Sequence, residues 1–280
     1  MTTFNVTDCS NDSQLQDFIN HATDGDTITF ACSGTITLTS TLNIKMKGQT
    51  GGDLTLDGSG ESVILDGGNN VRVLRVDGMR LTLKGMIVAN GKTDESGGGL
   101  FMSQSSEVTI DNCTFCGNTA QHGGGLYNNF GSKGTVISST FANNNATMGG
   151  GWSTTFGSFY VSATIVANNT ARVNGNNSLF KVSSLGNNLE DGTDCGFSDP
   201  VRNDQQNTDP TLDPIGLQNN GGSTQTIALQ PGSPAIGAIP IQMCPPIDQR
   251  GYLRPAGLSS CDIGAYQSSY LAPPAQLPPP

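Results

Sequence analysis

Three glycine triplets recur in this chain at a fixed interval. They begin at Gly97, Gly123 and Gly149, so each lies 26 residues after the one before. Periods of about 20 to 50 residues are typical of repeat proteins, in which each repeat packs only against its neighbours. This interval therefore restricts the fold more than any other property of the 280-residue sequence.

Apolar residues keep the same interval. Runs such as EVTIDNCTF and GTVISSTF alternate apolar and polar residues, which indicates short, half-buried strands rather than helices. We align the inward-facing residues of successive repeats as Leu83/Met86/Val88, Ile110/Cys113/Phe115, Val136/Ser139/Phe141 and Tyr160/Ala163/Ile165. Strands that recur in this way, with Gly and Asn between them, predict an all-β fold, a single-stranded right-handed parallel β-helix.

The repeat also predicts what lies inside the coils. Phe115, Phe141 and Ile165 are expected to stack in the core, one per coil. The amides that follow each by three residues are expected to hydrogen-bond to one another at the strand spacing of about 4.8 Å: Asn118, Asn144 and Asn168. The glycines leave room for a bend that a β-carbon would obstruct. A phosphate-binding loop would need a following helix and usually a lysine, and neither is present.

The two ends of the chain depart from the repeat. The segment NDSQLQDFINHATDGD predicts a short capping helix, with Leu15 and Phe18 on its apolar face and a capping box of Ser13 and Gln16. The predicted organisation is an N-terminal cap with one helix at 1–34, parallel β-helix coils at 35–207, an irregular C-terminal cap at 208–268 and a Pro-rich linker at 269–280.

The charge balance excludes several partners. The net charge is −10, which disfavours nucleic acid and anionic membranes because both are bound through basic patches. No apolar run is long enough to span a membrane. The segment MTTFNVTDCS lacks the charged and apolar regions of a secretory signal, which alone would predict a cytosolic protein.

The seven cysteines indicate a different compartment. Cys9 and Cys32 bracket the predicted helix, and Cys244 and Cys261 bracket a short loop, so each pair is a candidate disulfide of an oxidising environment. Cys113 and Cys116 have the CxxC spacing, but the chain has no second pair and no suitable histidines, so no metal site is predicted there.

One acidic segment is a candidate calcium-binding site. LEDGTDC, at 189–195, is rich in carboxylates, although it lacks the spacing of an EF-hand loop. No other cofactor is expected.

Candidate site residues lie on the outer face of the predicted coils. If Leu56, Leu83 and Ile110 point inward, their neighbours form two exposed rows: Thr55, Thr82, Thr109 and Thr135, and Asp57, Lys84, Asp111 and Ile137. Asp57 and Asp111 are then two coils apart, about 9.6 Å, near the upper end of the carboxylate separation in inverting glycosidases. A charge ladder, in which Lys84 relieves the repulsion of two aspartates, explains the same residues without catalysis.

The other candidates concern ligand binding. Thr55, Thr82 and Thr109 are a candidate binding row. The single tryptophan, Trp152, is a candidate platform for a sugar ring, although it replaces Leu100 and Leu126 in its repeat, which favours partial burial. Ice binding would need a second, parallel threonine row, and the neighbouring row is charged. No serine or cysteine nucleophile motif is found, and only His21 and His122 could serve one.

The C-terminal motifs resemble a known family. In order, NTDP, LQNNGGSTQTIALQPGSPAIGA, DQRGYLRP and CDIGAYQ are similar to bacterial right-handed β-helix proteins labelled choice-of-anchor Q. The pairing of Gly-Gly-Gly-Leu with Phe-x-x-Asn also resembles the repeats of chlamydial polymorphic outer-membrane proteins, which are adhesins. The first resemblance implies a secreted or surface-attached protein and implies no reaction.

Two functions follow as hypotheses. The first is an extracellular or cell-surface β-helix that acts as a stalk or adhesin-like module, binding a polysaccharide or a host surface ligand. The second is a polysaccharide lyase or an inverting glycoside hydrolase that uses the face formed by Asp57, Lys84 and Asp111.

Overall fold

The structure is a computed structural model that describes residues 1–45, 52–254 and 259–268. The Pro-rich linker predicted at 269–280 lies outside the described residues.

The described chain winds through successive coils, each of which contributes two to four short strands. The N-terminal elements are β1 (Thr3–Val6) and α1 (Ser13–His21). The coils contain β2 (Asp26–Phe30), β3 (Gly34–Thr37), β4 (Leu42–Ile44), β5 (Asp53–Asp57), β6 (Val63–Asp66), β7 (Leu74–Asp77), β8 (Arg80–Lys84), β9 (Ile87–Ala89), β10 (Leu100–Ser103), β11 (Glu107–Asp111), β12 (Thr114–Cys116), β13 (Thr119–His122), β14 (Leu126–Asn128), β15 (Lys133–Ile137), β16 (Thr140–Ala142), β17 (Asn145–Met148), β18 (Trp152–Thr154), β19 (Ser158–Ser162), β20 (Ile165–Ala167), β21 (Thr170–Asn174), β22 (Ser183–Gly186) and β23 (Leu189–Glu190). The C-terminal segment contains β24 (Leu212–Gln218), β25 (Thr226–Leu229), β26 (Ile239–Pro240) and β27 (Ser260–Cys261), with 3₁₀ turns at Pro200–Arg202 and Ile241–Met243.

Strands of successive coils stack into parallel sheets. Sheet A has the order β1-β2-β5-β8-β11-β15-β19-β22, sheet B β3-β6-β9-β12-β16-β20-β23 and sheet C β4-β7-β10-β14-β18. A short fourth sheet, β13-β17-β21, is present in the later coils. The predicted parallel β-helix is confirmed. Sheet A begins at β1, inside the range 1–34 that the sequence assigns to the N-terminal cap.

The register places like residues over like. In sheet A, Leu56 pairs with Leu83, Leu83 with Ile110 and Ile110 with Val136. All four are buried, whereas the residues on either side of them in each strand are more exposed. The inward and outward assignment made from the period-two alternation is therefore correct for these coils.

The aromatic stack is confirmed in part. The rings of Phe115 and Phe141 are parallel, with centroids 4.5 Å apart. The next residue of the stack is Val166, however, because Phe141 pairs with Val166 and not with Ile165. The turn from β18 to β19 (155–157) is one residue shorter than the turn from β14 to β15 (129–132), so the predicted alignment is displaced by one residue. Ile165 points away from the coil interior and packs against the C-terminal segment.

The buried, hydrogen-bonded amides of Asn118, Asn144 and Asn169 form an asparagine ladder, which is also displaced by one residue in its third coil. Asn144 accepts hydrogen bonds from the backbone N–H and the Nδ2 of Asn118, at 3.1 and 2.9 Å. It donates its own Nδ2 to the carbonyl oxygen of Phe115 and to the Oδ1 of Asn169, each at 3.0 Å. Asn168, predicted for the ladder, is exposed instead. Water does not reach the polar groups inside the coils, and the asparagine amides provide their hydrogen bonds instead.

A second internal ladder runs beside the first. The backbone N–H of Cys113 donates to Ser139 Oγ at 3.1 Å, and that of Thr164 donates to Asn188 Oδ1 at 3.1 Å. Ser139 is linked to Thr164 in the same way at 3.4 Å. Ser139 is thus equivalent to Thr164 and not to Ala163, in agreement with the shorter turn.

The glycine triplets have the predicted steric role. A β-carbon on Gly124 would lie 2.4 Å from the carbonyl oxygen of Asn145 and 2.6 Å from that of Gly150. Both distances are below any contact that a β-carbon makes, and both partners are backbone atoms of neighbouring turns. The triplet therefore marks a point where two coils approach too closely for a side chain.

The capping helix forms, but the predicted capping box is wrong. Its N-cap residue is Asp12, whose carboxylate makes no capping hydrogen bond to the helix. That carboxylate instead accepts hydrogen bonds from the backbone N–H and the hydroxyl of Thr39, at 2.7 and 2.8 Å. Asp12 thereby ties the helix to the first coil, with Leu15 and Ile19 buried beneath it.

The far end of the core is closed by the segment 191–199. Glu190 is fully buried and accepts backbone N–H hydrogen bonds from Cys195, Gly196 and Phe197, at 2.9, 3.1 and 3.2 Å. These bonds fold the segment back so that the buried ring of Phe197 covers the last coil. In a longer β-helix, a strand of the next coil would accept hydrogen bonds from backbone N–H groups at this end. Here the Glu190 carboxylate accepts them.

The C-terminal segment packs along the side of the β-helix. Outward-facing residues of sheet B, including Ile87, Ile165 and Leu189, form a second hydrophobic cluster with Leu212, Ile227, Leu229, Ala235, Ile239, Cys261 and Ile263. Hydrogen bonds fix the docking, among them Thr114 Oγ1 to Gln249 Oε1 at 2.6 Å and the Gly264 N–H to the Ala163 carbonyl at 2.9 Å. The strands β9, β12, β16 and β20 of sheet B are therefore buried on both faces, whereas the outer face of β3 is exposed.

The ladder generates a stability prediction. Replacing Asn144 by Ala leaves buried donors of Asn118 and a buried carbonyl of Phe115 without partners, so we expect a loss of about 3 kcal/mol or more in the free energy of unfolding. The matched control is Asn145→Ala, since Asn145 is the exposed neighbour, and its change should stay within about 0.5 kcal/mol. Urea denaturation of both variants measures the difference. Equal losses would contradict the ladder's role.

Candidate functional site

A cleft of about 370 Å³ lies where sheet A turns toward sheet B. Its floor contains Asp57, Lys84 and Asp111, the last residues of β5, β8 and β11. Its facing wall is the segment 245–251 of the C-terminal region. We call it the Lys84 cleft. The three predicted catalytic residues are thus brought together, and the wall that faces them was not foreseen.

The floor is positioned by strand register. Asp57 pairs with Lys84, and Lys84 pairs with Asp111, so the three lie on adjacent coils. At the strand spacing, Asp57 and Asp111 are about 9.6 Å apart. Each follows a buried residue, Leu56, Leu83 or Ile110, and therefore points outward. The next residues turn sharply, with positive φ at Gly85 and Asn112.

The wall is rigid because Asp248 organises it. Its buried carboxylate accepts hydrogen bonds from the backbone N–H groups of Arg250, Tyr252 and Gln267, at 2.9, 3.0 and 3.0 Å. It also forms an ion pair with the Arg250 guanidinium at 2.7 Å. A loop so fully hydrogen-bonded presents a fixed surface to the floor.

Arg254 differs from Arg250 because its partners are backbone carbonyls and not an aspartate carboxylate. It donates to the backbone carbonyls of Ile247, Asp262 and Gly264. Burial lowers the pKa of Arg254 to about 10, although Asp248 and Asp262 oppose this shift. Arg254 therefore cross-links the base of the wall from inside and also places a buried positive charge near Asp111.

The electrostatics of the floor distinguish its two aspartates. Burial raises the pKa of Asp111 above its ordinary value, with a smaller contribution from Asp57, while Lys84 and Arg254 act against the rise. Asp57 accepts a hydrogen bond from the backbone N–H of Ser59 at 2.9 Å. Within the described ranges, the side-chain ammonium of Lys84 makes no hydrogen bond and no ion pair closer than 4.0 Å. The ammonium group is thus available to a ligand.

A neighbouring atom of the cleft is also unsatisfied. Asn112 lines the cleft, and its side-chain Oδ1 is buried behind the cleft surface with no hydrogen-bond partner among the described residues. Buried polar atoms are nearly always paired in folded proteins. The cleft therefore offers a cation and two carboxyl groups on a fixed frame, with an unsatisfied polar atom beneath its surface.

The threonine row lies outside this cleft. Thr55, Thr82 and Thr109 pair directly, and Thr27 and Thr135 extend the row. The three central threonines border a shallow groove of about 340 Å³ together with Asp53, Arg80 and Glu107. Arg80 forms an ion pair with Asp53 across adjacent strands. The register of Asp53, Arg80, Glu107 and Lys133 gives a second alternating charge row, which sequence reasoning missed.

Trp152 is not a ligand platform. Its side chain has 0% exposed surface, and its ring packs edge-on against Phe141 and Phe159, with centroids 5.1 and 5.2 Å away. It occupies the position that Leu126 has in the preceding coil. The prediction that Trp152 stacks on a sugar is therefore wrong, because the tryptophan replaces a core leucine.

The cysteines separate into two groups. Cys9–Cys32 and Cys244–Cys261 form the two predicted disulfides. Cys113, Cys116 and Cys195 are free and buried. Burial raises the pKa of Cys113 and of Cys116 to about 12, so neither thiol is a nucleophile at neutral pH.

The acidic segment at 189–195 uses its carboxylates for hydrogen bonds. Asp191 accepts from the Asn177 amide at 2.6 Å and from the Asn168 N–H at 2.7 Å. Glu190 accepts three backbone N–H groups, as described above. Among the described residues, no group of three or more His, Cys, Asp or Glu side chains is placed to hold a metal ion.

Comparisons with known proteins give little beyond the fold. No protein-family model matches the sequence, and no curated protein is significantly similar to it. Neither family resemblance drawn from the motifs is therefore confirmed. A solved structure that it resembles is Jun a 1, the major allergen from cedar pollen, with 14% identity and a TM-score of 0.44. The match covers 68% of this chain and 58% of that chain, and it says nothing about activity.

The raised pKa of Asp111 predicts how stability depends on pH. A carboxyl group whose pKa is higher in the folded state destabilises the fold when it is ionised, above that pKa, and the cost disappears as the pH falls below the unfolded value of about 3.9. We therefore expect Asp111→Asn to raise the melting temperature at pH 7 by roughly 2 °C and to have little effect at pH 3. Thermal denaturation at both pH values measures this. A lower melting temperature at pH 7 would show that the ionised carboxylate stabilises the fold.

Proposed function

We propose that this protein is an extracellular or cell-surface β-helix that binds a carbohydrate ligand in the Lys84 cleft. The observation that carries the proposal is an unpartnered ammonium group between two carboxyl groups, in a cleft with a rigid wall. The two disulfides favour an oxidising compartment, which is consistent with a location outside the cell. No helix in the described part of the chain is long and apolar enough to cross a membrane.

The chemistry of the cleft favours a polyhydroxylated ligand. Asp57 and Asp111 accept hydrogen bonds, and Lys84 donates them. Sugar hydroxyls both donate and accept, so one ring satisfies several of these groups at once. The coils hold the floor residues at fixed spacing, which reduces the entropy that binding would otherwise cost.

Lys84 provides the test of binding. We expect Lys84→Met to weaken binding of oligosaccharides about tenfold, because it removes the central donor of the cleft. Lys133→Met is the matched control, since Lys133 is an exposed lysine of the same sheet and does not line the cleft. Calorimetric titration with neutral and acidic oligosaccharides measures both. Unaltered affinity in Lys84→Met would contradict binding at this cleft.

Hydrolysis of a glycosidic bond is a second candidate function of the same cleft. The observation in its favour is that burial raises the pKa of Asp111, which suits a proton donor, while Asp57 lies about two strand spacings away. Asp111 would protonate the leaving oxygen. Asp57 would take a proton from the water that attacks the anomeric carbon, so the configuration at that carbon would invert.

Turnover distinguishes the two candidates. If the cleft hydrolyses glycans, reducing ends appear from a polysaccharide, and Asp111→Asn lowers the rate by at least about 100-fold while the oligosaccharide affinity is kept. The anomeric configuration of the first product, followed by NMR, should be inverted. Unsaturated uronate absorbance would indicate a lyase instead. Binding without any product would leave the cleft as a binding site only.

A further inference from the structure

Three exposed phenylalanines line one margin of sheet A. Phe130, Phe156 and Phe180 occupy the segments that precede β15, β19 and β22, and they are 70%, 85% and 52% exposed. The rings of Phe130 and Phe156 contact each other edge to face, with centroids 6.2 Å apart. We call this set the phenylalanine column. The Lys84 cleft lies at the opposite ends of the sheet A strands, so the two features are separate.

The column borders a small cavity of its own. A space of about 240 Å³ opens between Phe156 and Phe180, and its remaining lining is Thr154, Thr155, Gly157 and Lys181. Two rings therefore provide apolar surface, and a hydroxyl-bearing edge and a cation lie beside them. This combination of apolar walls and a few polar groups is typical of small-molecule sites.

The backbone at Phe156 has a conformation that suits its turn but not its side chain. Its φ is +54°, a left-handed conformation that is rare for a bulky residue. Ser105, at φ +61°, and Gly131, at φ +78°, occupy the equivalent position of the two preceding coils, so the turn requires a left-handed residue but not a phenylalanine. Phe156 thus carries a conformational cost and, in addition, the cost of an apolar ring in water. No core contact among the described residues offsets either cost, and such outliers cluster at functional sites.

The turn that displays Phe156 is held firmly. Thr154 Oγ1 donates to the Gly157 carbonyl at 3.3 Å, and Asn128 Nδ2 donates to the Ser158 carbonyl at 3.0 Å. A β-carbon on Gly157 would lie 2.7 Å from the Asn128 side chain, so the turn packs closely on the coil below it. The ring is therefore presented in a fixed position rather than on a loose loop.

The cation beside the rings is unpaired. Lys181 is exposed, and it makes no hydrogen bond or ion pair with any described residue. Its aliphatic stem lies close to Gly196, where an added β-carbon would meet the Lys181 Cδ at 3.0 Å. The stem is thus directed along the surface, and the protein as a whole is acidic, with a net charge of −10. An unpaired lysine on the surface of an acidic protein attracts an anionic ligand to this position.

We propose that the cavity between Phe156 and Phe180 binds a sugar ring that carries a carboxylate, such as a uronic acid residue of an acidic polysaccharide. The C–H face of the sugar ring packs on the phenylalanine rings, and the carboxylate pairs with Lys181. The Thr155 hydroxyl is hydrogen-bonded to the Tyr127 hydroxyl at 2.9 Å and still has the capacity to bind a sugar hydroxyl. A cavity of about 240 Å³ accommodates one sugar ring, whereas a protein partner would contact a larger and flatter surface. This site does not depend on the function proposed for the Lys84 cleft.

The test uses the full chain carrying Lys84→Met, so that binding at the cleft is suppressed. The probes are a trimer of galacturonic acid and the neutral trimer of galactose, each titrated calorimetrically and followed by saturation-transfer NMR. Phe156→Gly should weaken the acidic trimer about tenfold, while the melting temperature is unchanged or higher, because glycine relieves the left-handed strain. A purely structural role for Phe156 would lower the melting temperature instead.

Two further variants sharpen the result. Lys181→Met should lower the affinity for the acidic trimer to that for the neutral trimer and leave the neutral trimer unaffected. The control Val173→Ala removes an exposed apolar side chain outside the cavity and should change neither affinity. Failure of both trimers to bind, or equal binding by Phe156→Gly, overturns the proposal. So does a self-association in sedimentation that Phe156→Gly abolishes, since the column would then be a contact between two copies.

Discussion

The fold depends on parallel, in-register hydrogen bonding between successive coils. Because each strand of sheet A pairs residue for residue with the strand of the next coil, a side chain meets the equivalent side chain about 4.8 Å away. This constraint builds the apolar core, the internal asparagine ladder and the outer charge rows together. A shift of one residue in any strand would exchange its inner and outer faces.

The same constraint makes the outer surface a regular array. Asp57, Lys84 and Asp111 are far apart in sequence, yet each occupies the last position of its strand. Such spacing alone gives a charge ladder, and it becomes a candidate site only where a second surface faces it. The segment 245–251 provides that surface, and burial beneath it raises the pKa of Asp111.

The parts of the structure that repeat were predictable from sequence, and the parts that join distant segments were not. The 26-residue period identified the stack of Phe115 on Phe141 and the bond between Asn118 and Asn144. It misplaced the next coil by one residue, since a turn that loses one residue leaves no mark in an apolar pattern. The alignment of Trp152 with Leu100 and Leu126 indicated partial burial, and the structure shows that the burial is complete.

The cleft wall could not be predicted for a related reason. Gln249 contacts Thr114 across 135 residues, and no periodicity connects the two. The phenylalanine column was equally hidden, because Phe130, Phe156 and Phe180 lie in the connections between strands. A cue was present in the sequence nonetheless: these three aromatic residues recur at intervals close to the repeat, in segments otherwise rich in Gly, Ser and Thr.

The docking of the C-terminal segment on sheet B has a consequence for biosynthesis. The ribosome synthesises the coils before residues 245–251. The floor of the cleft is therefore present in the nascent chain while Ile87, Ile165 and Leu189 are still exposed to water. Covering that apolar surface and assembling the cleft then occur in a single step, once residues 245–251 have left the ribosome. A chain that ends near residue 207 would expose the apolar outer face of sheet B and would lack the wall of the cleft. Chaperones and proteases recognise such exposed apolar surface.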